Sequence, residues 1–403
     1  MMIMKSIYLD YAATTPVDKE VLKAMAPYFS LKFGNPSSIH SFGQEAIAAI
    51  DMAREKIAKL LNCDFSEIIF TGSATEANNL AIIGFVKGLS EDRHRLIRAN
   101  RGMPFHIITT NIEHESVLEP LKELQKIGHE ITYLKVNKDG FISVSDLEKK
   151  IKNNTIFVSV IYASNEIGTI QPIKEIGRML EKFNIKRREQ NLPKIYFHTD
   201  AVQALQFLEC RPDWLKADLM TFSGHKIYGP KGIGGLYVRK NTPLLPIISG
   251  GGQEFGLKSG TENVANIAGL AKAVELVFKN RETRFKKILN LRNQLLNYII
   301  KDNKGTKLNG SLENRLPNNL NIRFPDVSNE TLLIALDQKG LSVSAGSACS
   351  ARASKASYVL TALGLTGKQA KESIRITLGK DTTGKEIKKA ASVIKNSSLY
   401  SNF

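Results

Sequence analysis

Thr221-Phe222-Ser223-Gly224-His225-Lys226-Ile227-Tyr228-Gly229-Pro230, which follows the short apolar stretch Asp218-Leu219-Met220, decides how the rest of the chain is read. A strand that ends in small polar residues, a His and a Lys sets one amine in a polar pocket. Partial desolvation there lowers the pKa of a lysine and frees it to condense with a carbonyl group. Upstream, Phe197-His198-Thr199-Asp200-Ala201-Val202-Gln203 ends a second apolar strand in a carboxylate, the group that pairs with a protonated pyridine nitrogen. Lys226 and Asp200 together point to pyridoxal 5'-phosphate as cofactor.

Around these two strands, apolar runs alternate with amphipathic stretches for most of the chain, the pattern of an α/β fold. Candidate strands are Ile68 to Thr71, His106 to Thr110, Glu130 to Val136, Ile156 to Ile161, Ile195 to His198, Leu219 to Phe222 and Gly235 to Val238. Several are continuously apolar, as strands covered on both faces are, so a mostly parallel seven-stranded sheet is expected in a large domain. Helical spacing in Ile39 to Leu61 and Val117 to Ile127 supplies covering helices. A long helical pattern from Val264 to Lys301 leads out of this domain. Beyond it, Asn319 to Phe324, a helix Asn329 to Lys339, Leu341 to Ser344 and a helix Ala370 to Ser373 before Ile374-Arg375-Ile376 compose a smaller α+β domain. The expected division is 15–265 for the large domain, with 1–14 and 266–403 forming the small one. Two polar, basic stretches, Ser90 to Met103 and Lys186 to Pro193, read as surface loops.

The chain has 403 residues and no apolar run near the ~20 needed to span a bilayer, so no membrane partner is expected. Its first residues lack the apolar core and small-residue cleavage site of a secretory signal, which makes the cytoplasm the expected compartment. The net charge of +17 comes mostly from Lys on amphipathic helices such as Asp146 to Lys152 and Lys385 to Lys389, with one tight run at Lys186-Arg187-Arg188. Without interleaved aromatic residues this reads as a solvated basic surface, and direct nucleic-acid binding is not expected. Cys63, Cys210 and Cys349 are too scattered for a disulfide framework or a metal site. Cys63 and Cys210 read as inert filler.

Four further segments carry chemistry. Thr71-Gly72-Ser73-Ala74-Thr75-Glu76-Ala77-Asn78-Asn79 follows a strand and opens a helix, where free N–H groups and the Thr75 hydroxyl suit a phosphate. An ordinary helix cap by Ser73 or Thr75 explains the same residues. Gly250-Gly251-Gly252 and Lys258 to Asn263 form a second hydroxyl-bearing loop before a helix, able to supply another phosphate contact. His114 in Glu113-His114-Glu115 and Asn165 in Tyr162 to Gly168 both follow strands, where ligands bind in open α/β sheets. Ser342 to Lys355 is almost entirely small and polar, so it has little to bury and is expected to be mobile, displaying the Cys349 thiol beside Arg352 and Lys355.

Taken in order, these motifs resemble the class V aminotransferase family, and within it the NifS/IscS-type cysteine desulfurases. The resemblance also takes in Tyr8 to Pro16, Phe33-Gly34-Asn35-Pro36-Ser37-Ser38, Gly346-Ser347-Ala348-Cys349 and Ser373-Ile374-Arg375-Ile376. It implies a fold-type-I pyridoxal-phosphate transferase in which Lys226 carries the cofactor, Asp200 meets its ring nitrogen and His114 stacks on the ring. Gln203 would meet the phenolic oxygen, Asn165 would help hold cofactor and substrate, and Ala74, Thr75, Ser223 and His225 would hold the phosphate. The family is a homodimer, so Thr261 is expected to reach the neighbour's phosphate. Arg375, with Asn35 nearby, would bind the substrate carboxylate, a planar anion that suits a guanidinium.

The implied reaction converts L-cysteine to L-alanine with a persulfide on Cys349, Lys226 taking the α-proton and His114 donating one. The sulfur would pass to an acceptor protein, an iron–sulfur scaffold or a tRNA-thiolation protein, and a DNA-sulfur-modifying system is equally compatible. The rival reading is another class V aminotransferase or a selenocysteine lyase in which Cys349 is incidental. Three departures stand out: Lys258 replaces a usual Arg, Gln253 and Phe255 replace polar or basic types, and the two basic stretches are longer than typical.

Overall fold

The computed structural model describes residues 6–96, 104–303, 305–346 and 356–398. The seven apolar runs pair into one sheet in the order Ile68–Thr71, Gly234–Val238, Leu219–Ser223, Tyr196–Asp200, Thr155–Ser159, His106–Thr110, Glu130–Leu134. The last five run parallel, and Gly234–Val238 lies antiparallel to both of its neighbours. Five of the strands are buried along their whole length and Tyr196–Asp200 in all but its first residue, which is why they read as apolar runs. Only the edge strand Glu130–Leu134 is half-exposed, and it is also the one with alternating polarity.

The long helix Val264–Asp302 packs on Ser41–Leu61 and Lys19–Met25 at one end of its path and on Gly384–Ser398 at the other. Asn319–Arg323 pairs antiparallel with Ser373–Thr377 and with Lys307–Leu308. Ile7–Tyr8 pairs parallel with Leu341–Ser342 as a separate two-stranded sheet, and an isolated bridge from Asp10 to Thr377 ties this segment to the three-stranded one. One apolar core runs through both groups of elements, from Phe197 and Met220 under the large sheet to Ile322 and Ile376 in the small one.

Three sequence expectations are corrected. The expected helix Ala370 to Ser373 is instead Gly367–Ala370, capped by Thr366 and Gln369, and Ser373 already opens the strand Ser373–Thr377. Lys186 to Pro193 is not a loop throughout: the helix Ile173–Glu189 continues through Lys186-Arg187-Arg188. Arg187 is buried and donates to the carbonyls of Pro193, Lys152, Asn153 and Thr155, so this charge is structural and not solvated. Ser90 to Leu96 belongs to the helix Phe85–Leu96, and the rest of that stretch lies outside the described residues.

One buried ion pair ties the glycine-rich loop to the sheet. Arg54 donates to both carboxylate oxygens of Glu254 at 2.8 and 2.9 Å, and Glu254 also accepts from the Phe70 amide at 2.8 Å. The guanidinium lies against the rings of Phe65, Phe70 and Phe255. Glu254 and Phe255 both hold positive φ, 51° and 57°, a conformation that a non-glycine residue keeps only when its contacts enforce it. Glu254→Ala leaves the Arg54 charge buried and unpaired, so a loss of about 3–5 kcal/mol is expected in urea unfolding. A loss below about 1 kcal/mol would show that the pair contributes no more than an exposed one.

Candidate active site

Five strand ends deliver the site. Ser73, Ala74 and Thr75 follow Ile68–Thr71, His114 follows His106–Thr110, and Asn165 follows Thr155–Ser159. Asp200 ends Tyr196–Asp200, and His225 and Lys226 follow Leu219–Ser223. All lie at the carboxyl ends of strands that run in one direction, where open α/β sheets bind ligands. Together with Ala12, Ala13, Ser116, Gln203 and Arg375 they line a cavity of ≈ 250 Å³. A larger groove of ≈ 430 Å³ sits at the opposite strand ends. There Lys194 pairs with Asp218, Lys216 with Glu181 and Arg239 with Asp213, so its charges are spent on one another.

The segment Ala12 to Thr15 runs beside the cavity, with Ala12 and Ala13 lining it. Lys226 Nζ donates to the Ala12 and Ala13 carbonyls at 2.7 and 2.8 Å, and Gln203 Nε2 donates to the Ala12 carbonyl at 3.0 Å. Thr15 donates through its amide and its hydroxyl to the His225 carbonyl, and Thr14 Oγ1 meets His225 Nδ1 at 3.2 Å. Burial first, then the charges of Lys226 and Lys231, holds the His225 pKa down at about 4. The ring is therefore neutral at pH 7 and available as a hydrogen-bonding group.

Asp200 is buried, and its carboxylate accepts from Asn78 Nδ2 at 2.9 Å and from the Val202 amide at 3.0 Å. His114 caps the helix Glu115–Lys126, with the Ser116 amide donating to its Nδ1 at 3.1 Å. Burial lowers its pKa below the ordinary imidazole value, against the opposing pull of Asp200. Arg375 is 1 % exposed and donates to Asp10 Oδ1 at 2.7 Å and to the Asn165 carbonyl at 3.0 Å.

This donor set fits pyridoxal 5'-phosphate. An amine, a buried carboxylate and an imidazole face one cavity, and helix-opening residues line its end. Ser73 does cap Glu76 at 3.1 Å, and the same turn lines the cavity through Ser73, Ala74 and Thr75. A side chain on Gly234 would stand 2.6 Å from Ser73 C and 2.8 Å from Ala74 N. Glycine at that position is what lets the strand lie directly against the Ser73–Ala74 turn. Ser223, Lys231 and Gly232 line an adjoining space with Ser73 and His225 at the same end.

Asn35 and Thr261 are exposed and do not line the cavity of their own chain. Asn35 Oδ1 accepts from the Ser37 amide at 2.9 Å. The glycine-rich loop likewise stays off the cavity. Cys349, with Ser347 to Lys355, lies outside the described residues. Cys63 and Cys210 behave as filler: burial pushes the Cys63 thiol up to about 12 and raises that of buried Cys210 as well. No metal-ligating cluster exists among the described residues.

Glu113, beside His114, is fully buried, and one carboxylate oxygen accepts from Thr110 Oγ1 at 2.7 Å and the Ile161 amide at 2.8 Å. Burial pushes its pKa up to about 8, with those hydrogen bonds opposing. Above the unfolded value of about 4.3 the folded protein keeps a proton that the unfolded chain releases, so stability declines as pH rises toward 8. Glu113→Gln has no proton to lose. The Tm of the wild type is therefore expected to fall relative to the variant between about pH 5 and pH 8; parallel profiles would contradict this.

The sequence reading missed Asn78, Ser116, Asp10 and the carbonyls of Ala12 and Ala13. Asn78 stands in the quoted phosphate motif, one helical turn after Ala74, a spacing that aims it back along the helix toward the site. Asp10 and the two carbonyls meet partners more than 200 positions away, so no local pattern marks them.

The sequence profile described as Aminotransferase class-V matches residues 7–389. The chain belongs to the class V aminotransferase family. A protein of Dictyoglomus turgidum named cysteine desulfurase IscS is 45% identical over 383 residues, 95% of this chain and 92% of that one. Among solved structures, a NifS-like protein superposes with a TM-score of 0.86 at 36% identity, covering 97% of this chain and 98% of its own. SspA in complex with cysteine does so at 0.76 and 38%, covering 92% and 98%. The fold is thus that of pyridoxal-phosphate enzymes of fold type I, and pyridoxal phosphate is its cofactor.

Proposed function

We propose that this chain is a cysteine desulfurase that moves the sulfur of L-cysteine onto Cys349, leaving L-alanine. The convergence of Lys226, Asp200, His114 and Arg375 on one ≈ 250 Å³ cavity carries the reading. The relatives named cysteine desulfurase and the structural neighbour that holds cysteine favour it over other class V reactions.

Bound pyridoxal phosphate supplies an electron sink for charge developing at the substrate's Cα. Asp200 is oriented to fix a protonated ring nitrogen, since both of its oxygens are already steered by Asn78 and the Val202 amide. Ala74, Thr75, Ser223 and His225 hold the phosphate, Gln203 the phenolic oxygen, and Asn165 cofactor and substrate. Lys226 holds the cofactor and moves the α-proton. Arg375, kept in place by Asp10, binds the carboxylate with Asn35. Cys349 thiolate forms an S–S bond to the substrate sulfur as the Cβ–S bond breaks. That electron pair goes to the carbon fragment, which takes up a proton from His114 to become alanine.

We infer a homodimer. Phe29, Leu31, Phe33, Ile39 and Phe42 stand 50 % or more exposed within one short stretch, an apolar surface of the kind that a second copy covers. Asn35 lies within that stretch, and Thr261 is proposed to reach the neighbouring phosphate. The domain division proposed is 15–265 against 1–14 and 266–403, with the helix Val264–Asp302 as the link. No described helix is long and apolar enough to cross a membrane. A cytoplasmic enzyme that passes sulfur to an iron–sulfur scaffold or a tRNA-thiolation protein is the reading we favour. The test is sulfide and alanine production from L-cysteine, with and without Cys349.

A further inference from the structure

Asn78 has no solvent exposure, and its amide nitrogen lies between two oxygens, 2.9 Å from Asp200 Oδ2 and 2.8 Å from Ser116 Oγ. A carboxylate only accepts, so the Asn78 NH₂ must face Asp200, and its second hydrogen goes to the serine oxygen. Asn78 Oδ1 is buried without a partner among the described residues. The carboxylate thus sets the orientation of the amide, because flipping it would put oxygen against oxygen. The serine hydroxyl, having accepted from Asn78, keeps its own proton for His114 Nδ1, 2.8 Å away. The Ser116 amide, at 3.1 Å, points a second N–H at the same ring nitrogen. Two donors aimed at Nδ1 leave it only one role, that of acceptor.

We propose that Asn78 and Ser116 are positioning residues that hold His114 as the neutral tautomer protonated on Nε2, and that they join it to Asp200 in one hydrogen-bonded unit. The proposal rests on the reading that Asp200 and His114 flank the ring of bound pyridoxal phosphate. The network then locks the two groups together: the carboxylate at the ring nitrogen orients Asn78, Asn78 orients the hydroxyl, and the hydroxyl orients the imidazole. His114 can exchange a proton with substrate only through Nε2, and the identity of that nitrogen is decided by Asn78 and Ser116.

The experiment is ¹⁵N NMR of full-length protein labelled at histidine, recorded with and without pyridoxal phosphate, with His114 assigned from its absence in His114→Gln. The wild type is expected to have a bare Nδ1 and a protonated Nε2 in both forms near pH 7. Ser116→Ala and Asn78→Ala are expected to give a mixture of tautomers, and Ser116→Thr to restore the single one. In the alanine variants kcat falls about tenfold while KM for L-cysteine stays within about twofold. A protonated Nδ1 in the wild type overturns the proposal, as does an unchanged tautomer in both alanine variants. Should those variants fail to fold, the wild-type spectrum alone decides. Failure of the cofactor reading is seen separately, as absence of bound-cofactor absorbance in a wild type whose tautomer is as stated.

Discussion

Lys226→Ala is expected to lower alanine formation from L-cysteine by at least about 10⁴-fold. Lys226 is assigned two tasks that no neighbour can take over. On the proposed reading it holds the cofactor covalently and carries the proton at Cα. Its Nζ is fixed by the Ala12 and Ala13 carbonyls, and neither those groups nor the neutral His225 offers a substitute amine. The variant should also release pyridoxal phosphate on dialysis while the wild type retains it, which separates loss of the anchor from loss of fold. Activity within about tenfold of wild type would mean that another group moves the proton.

Asp200→Asn is expected to lower kcat by about 10²–10³-fold, the range found when one preorganised electrostatic partner is removed. The substitution keeps the shape and removes the charge. Asp200 is buried with its oxygens already committed to Asn78 and the Val202 amide, and among the described residues lining the cavity there is no second carboxylate for a protonated ring nitrogen. Asp200→Glu keeps the charge but misplaces it against Asn78, and it should recover little. Turnover by the asparagine variant within about threefold of wild type would show that the charge at the ring nitrogen is not used.

Much of this arrangement was legible before any coordinates. The strands stood out because a sheet buried on both faces writes continuous apolar runs, and the site residues stood at their ends, where the topology gathers them. Misreadings came where local pattern and tertiary contact disagree. Lys186-Arg187-Arg188 has the composition of a solvated loop, yet Arg187 is drawn inward by four backbone carbonyls supplied largely by the 152–155 turn. The short helix before Ser373 ends at Ala370 and does not begin there, because its capping pair, Thr366 and Gln369, lies upstream of Lys371. Asp10 holding Arg375, the carbonyls holding Lys226, and Asn78 between Asp200 and Ser116 all depend on register between distant segments. A sequence records that register only through the fold.

The central claim, sulfur transfer onto Cys349, is tested most directly by incubating the cofactor-loaded wild type and Cys349→Ser with L-cysteine and a thiol reductant, then measuring sulfide and alanine. The account predicts equal amounts of both products from the wild type and neither from the variant, with mass spectrometry finding one added sulfur on Cys349 when the reductant is omitted. Equal turnover by Cys349→Ser, or no sulfide from a wild type that binds its cofactor, would contradict it.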